Sequence, residues 1–309
     1  MKKVNSGLLL LGLFFFSRCT KSGASDPVKH DTSYVDLLSS VSFYRPSFNY
    51  PDGKFLMDSF NYNQSGMIAN LLLYDAGGNP PLETYTFQID SINLRILSFE
   101  YSILANNANQ YTKFDIRYNQ QGMVSAMIPQ AGGSMTAQDF QVNFTYNGDK
   151  VMNNPFGVTN LTDTLVYDQE NLIHRQHYGG NSGTHVSIPA TEQYFRSSYP
   201  NPFYNAALVN SAALFMKIPA DDAGREFDYI ADTRSKYLPD SVYSLQGDNT
   251  FKIQWGMHYY TWTTDTEGRV TGGNLVMQDS VRNGMTGMSV PVTFQYRFMF
   301  AYKKQMIVK

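Results

Sequence analysis

The chain has 309 residues, and its 24 Lys and Arg against 26 Asp and Glu give a formal net charge of −2. This balance argues against a typical nucleic-acid-binding protein, because such proteins neutralise phosphates with an excess of basic side chains. Aromatic residues make up 15% of the chain, which excludes an intrinsically disordered protein. A single Cys excludes an internal disulfide framework.

The first residues predict an export signal. Lys2 and Lys3 precede an apolar run from Gly7 to Phe16. This run is shorter than the roughly 20 residues of a membrane-spanning helix and is typical of a signal-peptide core. Cys19 follows it and resembles the lipid-attachment site of bacterial lipoproteins. That resemblance implies cleavage before Cys19 and a diacylglycerol on its thiol, whereas cleavage after Ala24 would give a secreted protein.

The chain is therefore predicted to have three parts. Residues 1–18 form a lipoprotein signal peptide, residues 19–39 a flexible tether, and residues 40–309 a single β-domain with a helical excursion at about 199–240. We expect a protein of the cell envelope, anchored at the outer membrane, whose contact with the membrane is its N-terminal lipid. The alternative is a secreted protein.

Strict alternation of apolar and polar residues predicts β-strands, because successive side chains in a strand point to opposite faces. The clearest case is the C-terminal segment, whose apolar face is formed by Val292, Phe294, Tyr296, Phe298, Phe300 and Tyr302. The fold class is therefore predicted as all-β and mainly antiparallel, with one face packed and one face solvated. We expect a long curled β-meander or a partly open barrel-like sheet.

A short signature recurs between the predicted strands. It consists of Tyr, then Asn or Asp, two further residues and Gly, as in Tyr62 to Gly66 and Tyr118 to Gly122. A third copy has Asn171 at the Gly position, and a fourth, ending at Gly268, has Thr264 at the Tyr position. The Asn or Asp side chain starts a tight turn, and the Gly or Asn accepts the positive φ that reverses the chain. The signature thus predicts successive β-hairpins.

This signature resembles the Tyr-Asp repeats of Rhs-type proteins. The whole layout is similar to that of uncharacterised lipoproteins of Bacteroidota, with an export signal, a Cys, a tether and degenerate Tyr-Asp hairpins. Two further segments, Tyr199 to Phe203 and Lys236 to Ser241, carry the same resemblance. It spans most of residues 40–309 and implies a porin-like domain with a broad, curled antiparallel sheet. It implies no activity.

One helix is predicted within the β-domain, as a short insertion near 203–216. Asn201 and Pro202 are suited to the N-cap and the first helical position. Ala and Leu are frequent between Tyr204 and Met216, which favours a helix of about three turns. We expect this helix to cover the apolar, concave face of the sheet, since such a face must be buried against another element.

Few residues suggest catalysis or metal binding. His174, His177 and His185 are the candidate metal ligands, but a strand would point the first two to opposite faces. Asp221, Asp222, Glu226 and Asp228 match a calcium loop only loosely. The sequence has no Gly-x-Ser-x-Gly motif and no phosphate-binding glycine loop. We expect a non-enzymatic protein without a metal or a cofactor.

The two Trp residues suggest a binding site. Trp255 is in register with Phe251 and Ile253 and is assigned to the packed face, so Trp262, together with Tyr260, is assigned to the exposed face. An exposed Trp262–Tyr260 pair can stack on a sugar ring, although most such pairs stiffen a sheet. Three functions stay open: a scaffold or surface for an envelope protein, a carrier of an apolar ligand, and a glycan-binding accessory protein.

Overall fold

The computed structural model describes residues 32–44, 54–75, 80–90, 92–93, 95–105, 108–130, 141–153, 163–180, 187–202, 204, 235–246, 254–282 and 288–308. These residues form sixteen antiparallel β-strands that close into one barrel. The strands are β1 Thr32–Tyr44, β2 Lys54–Tyr62, β3 Ile68–Asp75, β4 Glu83–Asp90, β5 Arg95–Ala105, β6 Ala108–Tyr118, β7 Val124–Pro129, β8 Val142–Asn147, β9 Lys150–Asn153, β10 Asp163–Asp168, β11 Asn171–Gly180, β12 Ser187–Pro200, β13 Tyr237–Gln246, β14 Gln254–Thr264, β15 Val270–Arg282 and β16 Ser289–Val308.

Each strand pairs with its neighbour in sequence, and β1 closes the ring by pairing with β16 from Thr32↔Val308 to Tyr44↔Arg297. The prediction of an all-β, antiparallel, barrel-like sheet is confirmed. The sheet is closed and not partly open, because the first and last strands satisfy each other's backbone groups. The tether predicted for residues 19–39 is too long, since β1 already begins at Thr32.

The inner wall of the barrel is apolar and the outer wall is largely polar. In β16, Tyr296, Phe298 and Phe300 are buried, whereas the intervening Arg297 and Met299 are exposed. This confirms the predicted packed face of the C-terminal segment. Aromatic rings of adjacent strands stack on the inside, as Phe99 and Phe114 do with centroids 4.8 Å apart. A membrane-spanning barrel has the opposite arrangement, an apolar outer band around a polar lumen.

Tyrosines near the ends of even-numbered strands, including those of the first two signature copies, join neighbouring hairpins at one end of the barrel. Four tyrosines on even-numbered strands, here called the cross-strand tyrosines, donate their hydroxyls to backbone carbonyls of the preceding strand. The bonds are Tyr62 to Leu38 at 2.6 Å, Tyr118 to Ile96 at 2.6 Å, Tyr146 to Val124 at 2.8 Å and Tyr302 to Val270 at 2.7 Å.

Other side chains make the same kind of bond where a strand lacks the tyrosine. Trp262 lies two residues before Thr264, which occupies the Tyr position of the fourth copy. Its indole Nε1 donates to the carbonyl of Pro239 at 2.8 Å. Arg196 Nε donates to the carbonyl of Leu172 at 2.7 Å. The signature tyrosine therefore has a structural role in the first two copies, because Tyr62 and Tyr118 each tie a hairpin to the preceding strand.

Burial and cations act on the same tyrosines. Burial raises the pKa of Tyr118 to about 12, although the guanidinium of Arg95, 5.1 Å from the ring centroid, acts in the opposite direction. Burial also raises the pKa of Tyr62 and of Tyr302. A cation lies over each of these two rings as well, Lys303 at 5.2 Å from Tyr62 and Arg269 at 5.5 Å from Tyr302.

The turns agree with the signature in all but one described copy. Gly66, Gly122, Gly148 and Gly268 have positive φ. In the third copy the prediction for Asn171 is wrong: Gln169 and Glu170 have the positive φ angles of 45° and 65°, and Asn171 pairs with Asp168 in the ladder. The hairpin loop is one residue shorter there, because two residues lie between Asp168 and Asn171, whereas three lie between Asn63 and Met67.

The predicted helix at 203–216 lies almost entirely outside the described residues. Of the described residues in this region, Pro202 and Tyr204 are helical. The two ends of the excursion are joined to each other. Asn201 donates its backbone N–H to Lys236 at 3.0 Å and its side-chain amide to the carbonyl of Ser235 at 2.9 Å. In the described part of the chain, no helix is long and apolar enough to cross a membrane.

Candidate functional site

The predicted exposed pair, Trp262 and Tyr260, lies inside the barrel. Trp262 is 7% exposed and Tyr260 is 3% exposed. Their rings stack with centroids 5.6 Å apart and an interplanar angle of 9°, and Trp262 also lies 6.2 Å from Phe298. The prediction that this pair faces solvent is therefore wrong. The pair belongs to the core and has no free face for a sugar ring.

The physical reason is that β14 is apolar on both faces. Met257 and Tyr259 alternate with His258, Tyr260 and Trp262, so hydrophobicity alone does not say which set points inward. Packing decides it. Trp262 lies opposite Gly273 of β15, and a Cβ at Gly273 would overlap the indole ring. Because Gly273 has no side chain, the indole of Trp262 fits inside the barrel, and the face of β14 that carries Trp262 points inward.

The outer wall carries an aromatic group that the sequence did not reveal. Phe195 of β12, Tyr243 of β13 and Tyr259 of β14 are 44%, 37% and 44% exposed. We call these three residues the outer aromatic cluster. Ser241 pairs with Phe195 on one side and with Tyr259 on the other, so all three share one face of the sheet.

The ladder register sets the spacing of the outer aromatic cluster. Phe195 and Tyr259 are two strands apart, which places their backbones about 10 Å from each other. Tyr243 pairs with Met257 and is the diagonal neighbour of Tyr259, within reach of an aromatic ring. The small side chain of Ser241 lies between the two outer rings. The arrangement is a row of aromatic rings with a small polar side chain, that of Ser241, between the two outer ones.

The surroundings of the cluster are almost uncharged and combine polar with apolar side chains. The neighbouring outer positions of β12 to β15 are Thr191, Gln193, Leu245, Met257, Thr261, Thr263, Asn274, Val276 and Gln278. Asp240, exposed at a bulge beside Ser241, is the exception. The outer wall at β5 and β6 differs, since Glu100 there pairs with Lys113, and Asp115 and Arg117 are exposed.

Buried ionisable side chains line the inner wall, and each contacts a neighbour. His258 Nε2 lies 3.0 Å from Asp279 Oδ1, next to Gly256, where a Cβ would overlap that carboxylate. Glu192 accepts a hydrogen bond from Tyr194 at 2.6 Å and lies 3.7 Å from Arg175. These groups compensate one another, as buried polar groups in a core must.

The remaining predicted candidates are only partly described. Cys19, His185 and the acidic residues 221–228 lie outside the described residues, and the side chain of His177 does as well. His174 is half-buried on β11. Among the side chains that are described, no three His, Cys, Asp or Glu lie close enough together to hold a metal ion.

Comparison with known proteins gives likeness in structure only. No family model matches this chain, and no curated protein matches it in sequence. A solved porin-like protein from Bacteroides uniformis has a TM-score of 0.37 and 12% identity, over 86% of this chain and 96% of that chain. A porin-like protein from Bacteroides vulgatus has a TM-score of 0.36 and 9% identity, over 87% of this chain and 99% of that chain.

Proposed function

We propose that this is a non-enzymatic, lipid-anchored binding protein of the cell envelope. Its barrel is a rigid support, and the outer aromatic cluster is the surface that meets the partner. The observation that carries the proposal is the exposure of Phe195, Tyr243 and Tyr259, at 37% to 44%, on three adjacent strands. Adjacent exposed aromatic side chains are typical of interaction sites, because they offer large apolar area with little loss of rotamer freedom.

Inner packing supports placing the function on the outer wall. The described inner rings lie against rings of adjacent strands, and Leu275, Phe298 and Tyr101 are at most 2% exposed. The carboxylates of Asp279, Glu192 and Glu83 on this wall lie against His, Arg and Tyr neighbours, respectively. This wall has the character of a core, which favours a surface function over transport of an apolar ligand in the interior.

Hydroxyl-radical footprinting tests the binding surface. We expect labelling of Phe195, Tyr243 and Tyr259 to be weaker in isolated envelopes that contain the full chain than in the detergent-purified protein. Leu97, 39% exposed on β5, is the matched control and should be labelled equally in both samples. Equal labelling of the cluster in both samples would contradict the proposed surface.

Fractionation tests the anchor separately. The Cys19→Ser variant cannot carry a thioether-linked lipid, so we expect it to leave the membrane pellet while the parent chain stays there. A variant that sediments with the membranes as the parent does would show that the lipid at Cys19 does not hold the protein.

A further inference from the structure

We propose that the outer aromatic cluster binds a neutral polysaccharide chain. This inference rests on the proposed function and names its ligand class. The rings of Phe195 and Tyr259 flank Ser241, with Tyr243 diagonal to Tyr259. A pyranose ring has an apolar C–H face and a rim of hydroxyls, so a row of exposed rings with hydroxyl and amide groups between them matches its chemistry.

The charge around the cluster distinguishes this ligand from others. The described side chains beside the rings carry no charge. Met257 pairs with Tyr243 and Val276 pairs with Tyr259, so part of this surface is apolar. Gln193, Thr261 and Gln278 supply neutral donors and acceptors around it. A nucleic acid or an anionic lipid surface requires Lys and Arg, which these outer positions lack. Asp240 at the edge of the cluster would repel an anionic polysaccharide. A neutral polysaccharide needs no Lys or Arg and is not repelled by Asp240.

The closed sheet argues against an extended peptide. Peptides that bind sheets commonly add a strand to a free edge. Here β1 and β16 pair along the length of β1 and close the ring. The outer wall instead exposes side chains, and side-chain stacking is the means by which it can hold a chain of sugar rings.

Affinity electrophoresis of the purified full chain tests the proposal. Native gels would contain dextran, mannan, xylan, galactan or laminarin, with polygalacturonate as the anionic comparison. We expect retardation by at least one neutral polysaccharide and none by polygalacturonate. Single Phe195→Ala, Tyr243→Ala and Tyr259→Ala changes should each weaken the apparent affinity about three- to tenfold, and the triple change should abolish retardation.

Two controls separate binding from folding. Tyr34→Ala removes a ring that is 69% exposed on β1, away from the cluster, and should leave retardation unchanged. If the triple variant does not fold, footprinting of the parent chain with the retarding polysaccharide gives the second measurement, with protection expected at the cluster and not at Leu97. Retardation by none of the neutral polysaccharides, or equal retardation of the folded triple variant, overturns the proposal.

The outcomes also separate this proposal from the function on which it rests. Protection of the cluster in envelopes without any polysaccharide binding would leave the binding surface in place and indicate a protein partner. Absence of protection in envelopes together with absence of polysaccharide binding would contradict both.

Discussion

The inner and outer rows of β14 differ completely in environment although they alternate along one strand. His258, Tyr260 and Trp262 are at most 7% exposed, whereas Tyr259, between two of them, is 44% exposed. Both rows are rich in aromatic residues, so composition does not distinguish them. The comparison suggests that the two rows have different roles: the inner rings stabilise the fold, and the outer rings are available for binding.

The largest test of this division exchanges one ring in each row for alanine. Trp262→Ala removes a buried ring, its stacking on Tyr260 and its hydrogen bond to Pro239, and should lower the free energy of unfolding by roughly 3–5 kcal/mol. Tyr259→Ala should lower it by less than about 1 kcal/mol. Denaturant unfolding of both variants measures this, and equal losses would contradict the comparison.

Sequence information was sufficient where the two faces of a strand differ in polarity. In β16, aromatic residues alternate with residues such as Gln295 and Arg297, so the inward face could be predicted and is confirmed. In β14 both faces are apolar, and the prediction for Tyr260 and Trp262 was wrong. Gly273, whose missing side chain makes room for the indole, becomes informative only when the β14–β15 register is known.

Contacts between distant parts of the chain could not be predicted from local patterns. Closure of the barrel depends on pairing of Thr32 with Val308, at opposite ends of the described chain. The outer aromatic cluster likewise depends on the register of three strands, which brings Phe195 and Tyr259 to either side of Ser241. Single-sequence periodicity gives the face of a residue but not its cross-strand neighbours.

The next test adds a methyl group to the inner row. Gly273→Ala would place a Cβ against the indole of Trp262 and the backbone carbonyl of Thr261. Overpacking of this kind should lower the free energy of unfolding by about 1–3 kcal/mol, with a change in Trp fluorescence. Asn274→Ala, the adjacent outward-facing residue of β15, is the control and should change stability by no more than about 0.5 kcal/mol.

A smaller effect is expected at the end of the inner wall. Tyr302→Phe keeps the ring and its contact with Arg269 but removes the hydroxyl that donates to the carbonyl of Val270 at 2.7 Å. We expect a loss of about 1 kcal/mol in urea unfolding. Tyr259→Phe removes an outer hydroxyl and should be neutral. A neutral Tyr302→Phe would show that the cross-strand tyrosines do not tie the hairpins together.

Alkaline pH should lower the stability of the barrel through a buried tyrosine on β6, Tyr118. Burial raises the pKa of Tyr118 to about 12, above the value of about 10 for an unfolded tyrosine. The stabilisation is thus complete below about pH 10 and is lost as the pH rises toward 12, because the unfolded chain releases the proton first. Stability should fall less steeply over this range in Tyr118→Phe than in the parent. Identical slopes would contradict the assignment.

The smallest expected effect lies at an exposed turn on the rim. Asp265 accepts hydrogen bonds from the backbone N–H groups of Glu267 and Arg269, both at 2.9 Å, as Asn63 does in the corresponding turn from Ser65 and Met67, both at 3.0 Å. The side chain of Arg269 also donates to Asp265 and holds the pKa of that carboxyl below its usual value.

Asp265→Asn therefore keeps the turn and removes only the charge. Because the folded-state pKa of Asp265 is lowered, its contribution is present above the unfolded value of about 4 and disappears as the pH falls through the folded value. The parent should lose slightly more stability than Asp265→Asn when acidified below about pH 4, and high salt should reduce the difference. Asn63→Asp is the converse variant, since it introduces the charge into a turn whose corresponding residue, Met67, is not an arginine. The difference in free energy of unfolding between the parent and Asp265→Asn at acid pH should be far smaller than the loss caused by Trp262→Ala. A larger difference at Asp265 would contradict the view that inner packing contributes more to stability than surface charge.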